Sequence, residues 1–138
     1  MTLNNAIIIA GLIHLTILTA GLAMTRVLNW NSELKKIDAL SQHIIWTHGA
    51  YVWFTILAFG LASIFLPGEL TGHGPLGTGL SLFIALFWGV RLLIQFFYFD
   101  AKPYLTDFKL KLGYHGLTVC FAYFTAVYGW AAYTGVQI

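Results

Sequence analysis

Charge is what this chain of 138 residues has least of: Asp, Glu, Lys and Arg together make up only 9% of it. A soluble domain carries about a quarter of its residues charged. Too few polar side chains exist to cover a water-facing surface, so the expected solvent is a bilayer. Cysteine is nearly absent as well. The single Cys120 excludes an internal disulfide and any paired-cysteine redox or metal motif, and is expected to pack as a small apolar residue. Prolines number three, and no Pro/Gly/Ser tract is long enough to divide the chain, so residues 1–138 are read as one domain. The formal net charge is +2, from a few scattered basic residues, which excludes a nucleic-acid-binding surface. No HExxH, GxSxG or P-loop pattern occurs to support a hydrolase or nucleotide-binding reading.

What the chain does have is apolar length. Hydrophobic residues make up 59% and aromatics 17%, and the mean hydropathy is +0.78. A membrane span needs roughly 20 mostly apolar residues, and four stretches qualify: Ala6 to Leu28, Ile44 to Leu66, Gly77 to Phe99 and Gly113 to Val136. The first lacks the basic n-region of a signal peptide and is too long for an h-region, so it is expected to be retained. Pro67 and Gly68 end the second. Between the first two, "NSELKKIDALSQ" reads as a short amphipathic connection. The expected fold is all-α, an integral membrane four-helix up-down bundle.

Basic residues orient it. Arg26, Lys35 and Lys36 flank the first loop, and Lys102, Lys109 and Lys111 flank the third. The second loop, "PGELTGHGPLGTG", holds no Lys or Arg, and neither terminus adds one. By the positive-inside rule the first and third loops are cytoplasmic and both termini lie on the non-cytoplasmic side. The expected location is a bacterial cytoplasmic membrane or an equivalent energy-transducing membrane. A faint repeat, His48-Gly49-x-x-Val52-x-Phe54 against His115-Gly116-x-x-Val119-x-Phe121, hints at two related hairpins.

Ionisable groups at membrane depth cost a few kcal/mol each and ask for a partner or a function. Here they are His14, His48, Arg91 and His115, accompanied by Gln95. Chain direction places His48, Arg91, Gln95 and His115 in the cytoplasmic half, and His14 nearer the middle. Helical spacing puts each on a stripe of small or weakly polar residues. His48 goes with Tyr51, Thr55, Ala58 and Ala62, and His115 with Thr118, Ala122, Thr125, Gly129 and Ala132. Such stripes are expected to face other helices, because small residues permit close approach. Arg91, Gln95, Trp88 and Tyr98 share one face of the third span. His43 lies ~140° around the helix from His48 and belongs to the headgroups. His73 is a loop residue.

Two histidines at one depth on parallel helices are analogous to the axial ligands of small membrane b-type cytochromes, where imidazoles tune the iron. On that reading His48 and His115 ligate one haem b near the cytoplasmic side. Arg91, with Gln95 and Tyr98, would line the cofactor site, the guanidinium pairing with a propionate. The expected function is then a small redox subunit exchanging electrons with a partner or a quinone. The competing reading is a non-catalytic accessory subunit packed in a larger membrane complex or self-associated, its polar groups serving helix contacts. A small lipid- or quinone-binding enzyme, with Arg91, Gln95 and Tyr98 on an anionic head group, ranks below both, and a transporter ranks last. Whether the chain is an enzyme is left open. His14 is expected to be a buried hydrogen-bonder, and Arg91 has Asp100 or lipid phosphate as alternative partners.

Overall fold

A computed structural model describes residues 1–137 of the chain. Among these there is no strand. The helices are α1 (Leu3–Val27), α2 (Trp30–Glu33), α3 (Ala39–Phe65), α4 (Pro67–Thr71), α5 (Pro75–Phe97) and α6 (Phe108–Val136). Short 3-10 turns cover Leu34–Lys36 and Lys102–Tyr104. Three of the long helices, α1, α3 and α5, are long and apolar enough to cross a membrane. At 25 residues, α1 rises ~38 Å against a hydrocarbon core of ~30 Å. The fourth long helix, α6, has 29 residues, but lysine, tyrosine, threonine and glycine dilute its apolar content.

The helix ends follow local chemistry. Thr2 caps α1 by accepting from the Asn5 N–H. Asp38 caps α3, its carboxylate accepting from the Ser41 N–H at 3.0 Å and the Ser41 hydroxyl at 2.5 Å. That cap starts α3 five residues before the expected span, so the connecting segment is shorter than "NSELKKIDALSQ" suggests. The chain leaves α1 through Asn29, whose φ of 51° is left-handed, a conformation Asn tolerates better than most residues. Pro67 and Pro75 open α4 and α5 at positions where a missing N–H costs nothing.

The most extensive packing is within two hairpins, α1 with α3 and α5 with α6, and α1 also lies against α6. At the α1–α3 crossing the backbones nearly touch. A Cβ on Gly11 would meet Ile64 Cγ1 at 2.8 Å and the Gly60 carbonyl oxygen at 2.9 Å. The start of α1, the end of α6 and the α3–α5 connection meet at one end of the molecule: Thr71 donates to Asn4, Ser81 Oγ donates to the Leu70 carbonyl at 2.8 Å, and a Cβ on Gly135 would meet the Gly72 carbonyl oxygen at 3.2 Å. This is the termini end; the loops carrying the lysines form the basic-loop end.

Packing is strongly asymmetric between the two. On α1 no residue after Leu18 is buried, on α3 none before Phe59, and on α6 none before Phe121. The core of Ile7, Phe59, Ile84, Trp88, Phe124 and Tyr128 therefore sits in the half toward the termini. Among the described residues Gln95 is the one buried in the other half.

Candidate functional site

Polar side chains gather at two places. The first surrounds His14, which is fully buried. Its Nδ1 lies 2.7 Å from the Ala10 carbonyl oxygen, which can only accept, so Nδ1 carries the proton. Nε2 is then a lone pair and accepts the indole N–H of Trp88 at 2.9 Å. Both ring nitrogens are satisfied, and the imidazole is neutral by geometry, since a second proton would oppose the indole N–H. Phe124 stacks on the ring at 4.0 Å, and Phe59 and Tyr128 meet it edge-on. One turn nearer the termini, Ser63 donates to the Phe59 carbonyl at 2.7 Å and therefore accepts from the Tyr128 hydroxyl at 2.5 Å. These are two satisfied pairs inside a membrane-type core, His14–Trp88 joining α1 to α5 and Ser63–Tyr128 joining α3 to α6, and neither offers an open coordination position.

The second place is the α5–α6 seam toward the basic-loop end. Gln95 is buried and its amide donates to Thr118 Oγ1. Thr118 donates in turn to the Tyr114 carbonyl at 2.9 Å, and the Tyr114 hydroxyl donates to the Gln95 carbonyl at 3.3 Å. One turn before Gln95, the Arg91 guanidinium carbon lies 5.0 Å from the Phe99 ring centre and 5.2 Å from that of Phe121. Its Nη1 is buried with no hydrogen-bond partner. The contemplated Arg91–Asp100 pair does not form; Lys36–Glu33 is the one ion pair among the described residues. Tyr98 is 81% exposed, against Phe99.

His48 and His115 stand apart from both clusters. Each is exposed, so neither faces the interior as its stripe suggested. The buried face of α3 is Phe59, Gly60 and Ser63, and that of α6 is Phe121, Phe124, Tyr128, Ala131, Ala132 and Gly135. On α3 aromatic volume and a glycine crossing chose the inner face over the weakly polar stripe; on α6 the stripe turns inward at Thr118, Thr125 and Ala132, but not at His115. His48 Nδ1 donates to the Ile44 carbonyl at 2.8 Å, which leaves Nε2 as the available lone pair. His115 meets the Tyr114 ring edge-on at 5.6 Å. Helices α3 and α6 are not among the closely packed pairs. Cys120 is partly buried against the core, and His73 is exposed in the connection between α4 and α5.

The structure thus joins Arg91 and Gln95 to α6 and keeps His48, His115 and Tyr98 on the outside. Sequence reasoning had placed Trp88 on the Arg91 face without its His14 partner, and had missed Tyr114, Phe99 and Phe121 beside Arg91. The hydroxyls of Tyr128 and Ser63 lie within apolar runs, where a hydroxyl calls for a partner. No protein-family model, no curated protein and no solved structure matches this chain, so its function is argued from its own residues.

Proposed function

We propose that this chain is a non-catalytic subunit of a membrane assembly, crossing the bilayer four times in an up-down bundle with both termini on the non-cytoplasmic side. The observation that carries the reading is the outward placement of polar side chains within helices. His48 and Tyr51 on α3 and His115 on α6 are exposed, in the half where this chain supplies almost no core of its own. Polar groups facing lipid are costly, and a neighbouring protein that hydrogen-bonds to them removes the cost. The same reasoning accounts for α6. A helix too polar to count as a span by itself inserts when one face packs on α5 and the other is covered. The partner is another membrane subunit or a second copy.

A photo-crosslinking residue in place of Tyr51 tests this in native membranes. A discrete adduct at Tyr51, absent when the probe replaces the exposed Leu86 of α5, is the expected result. Monomer alone at both positions overturns it.

One observation favours the redox reading as the second. With Nδ1 of His48 tied to a backbone carbonyl, its Nε2 is presented outward, the arrangement a haem-ligating histidine adopts. Gly49 and Gly116 border open space beside the two histidines. A bis-imidazole haem b would supply one-electron transfer, with His48 and His115 as ligands. Oxidised and reduced visible spectra of the purified protein decide the matter. A low-spin haem signal lost in both His48→Ala and His115→Ala supports the redox subunit; a colourless protein rejects it.

A further inference from the structure

Arg91 is a cation without a counter-ion. Its Nη1 is buried and bonded to nothing, and its guanidinium rests between two phenyl faces. A π face attracts a guanidinium but accepts none of its directed hydrogen bonds. The direction of the side chain adds to this. A Cα–Cβ bond in a helix tilts toward the N-terminus, yet the Arg91 guanidinium reaches Phe99, which lies toward the C-terminal end. The Phe99 N–H bonds back to the Ile94 carbonyl at 3.0 Å, folding the chain under that end of α5. Arg91 starts ~9 Å before the last residue of α5, a distance from which an arginine side chain can reach the basic-loop surface by snorkelling. Lys102, Lys109 and Lys111 follow just beyond. Beyond Arg91, the basic-loop end of α5 is aromatic and open: Phe96, Phe97 and Tyr98 are 61%, 85% and 81% exposed.

We propose that Arg91 binds the phosphoryl group of an anionic phospholipid whose acyl chains lie along the aromatic end of α5. The planar fork matches two phosphoryl oxygens, and Phe99 and Phe121 shield the pair from water. Free phosphate offers the same oxygens, but only a lipid also covers Phe96 and Phe97. The assignment is independent of whether a protein partner covers α3.

The test uses the purified full chain in a neutral detergent, with thermal unfolding followed by circular dichroism. Added phosphatidylglycerol raises the midpoint, whereas phosphatidylcholine and sodium phosphate at matched ionic strength do not. Arg91→Leu weakens the response to phosphatidylglycerol about tenfold or more, the worth of a charge-assisted hydrogen bond, and Arg91→Lys keeps part of it. If Arg91→Leu fails to fold, Arg91→Gln takes its place, with native mass spectrometry counting bound lipid. A triple Lys102→Gln, Lys109→Gln, Lys111→Gln variant keeps the response at high salt, separating the site from a diffuse basic surface. Equal responses to the two lipids, or an undiminished response in Arg91→Leu, overturn the site. A rise with sodium phosphate as large as with phosphatidylglycerol overturns the lipid assignment.

Discussion

Trp88 on α5 gives its indole N–H to His14 Nε2 on α1, a 2.9 Å bond between residues 74 apart in sequence and buried at the centre of the packed half. Each satisfies the other, because an indole only donates and this imidazole nitrogen only accepts.

The pair predicts a specific mutational pattern. Trp88→Phe leaves His14 Nε2 buried without a donor and should destabilise by about 1–3 kcal/mol, plus the loss of packing. His14→Leu strands the indole in the same way. The double variant His14→Leu/Trp88→Phe should lose less than the sum of the two, since neither polar group remains. Unfolding midpoints by circular dichroism measure the cycle; strict additivity would mean the hydrogen bond contributes nothing.

The α1–α3 crossing predicts a contrast among glycines. Gly11→Ala puts a methyl within 3 Å of Ile64 and of the Gly60 carbonyl, and should cost about 1–3 kcal/mol by overpacking. Gly49→Ala and Gly116→Ala place theirs in open space within helices and should leave the purified chain as stable as before or more so, by up to about 1 kcal/mol each. If those two variants disrupt the native assembly while the isolated chain is unaffected, the partner reading gains support.

Asp38 sets a pH dependence at the start of α3. The Ser41 hydroxyl, and after it the Ser41 N–H, hold its carboxyl below the ordinary value of 3.8. A depressed carboxyl stabilises when ionised. Its contribution is therefore complete above pH 3.8 and is lost as pH falls below that value, through the lower folded one. The protection of the Ser41 amide, corrected for the intrinsic pH dependence of exchange, should fall over that interval. Asp38→Asn should remove the pH response while still capping, and Asp38→Ala should fray the first turn at every pH. A protection factor at Ser41 that stays constant through that interval would show the cap unused.

Topology is tested at Lys36. If the basic loops are cytoplasmic, a Lys36→Cys variant should react with an impermeant maleimide only after the cells are opened. Ready labelling of intact cells would invert the bundle.

Sequence alone determined that this chain is helical and membrane-compatible, because apolar run length is a local property and Pro67 ends a helix where it stands, whereas the starts of α3 after Asp38 and of α5 at Pro75 lie before the expected spans. It also exposed Arg91 and His14 as groups at membrane depth that need an explanation, since a charge or imidazole among apolar neighbours stands out in one dimension. Which side of each helix faces inward was decided only by the tertiary structure. The stripe running from His48 through Tyr51 and Thr55 has a helical period as regular as any core, yet the Gly11–Gly60 contact and the fit of Phe59 against α5 turned α3 so that His48 and Tyr51 face out. Periodicity names the faces of a helix but not their partners; close approach and aromatic fit choose among them, and both depend on residues far apart in the chain. For the same reason no local pattern linked His14 to Trp88, or left Arg91 between Phe99 and Phe121 with a free donor.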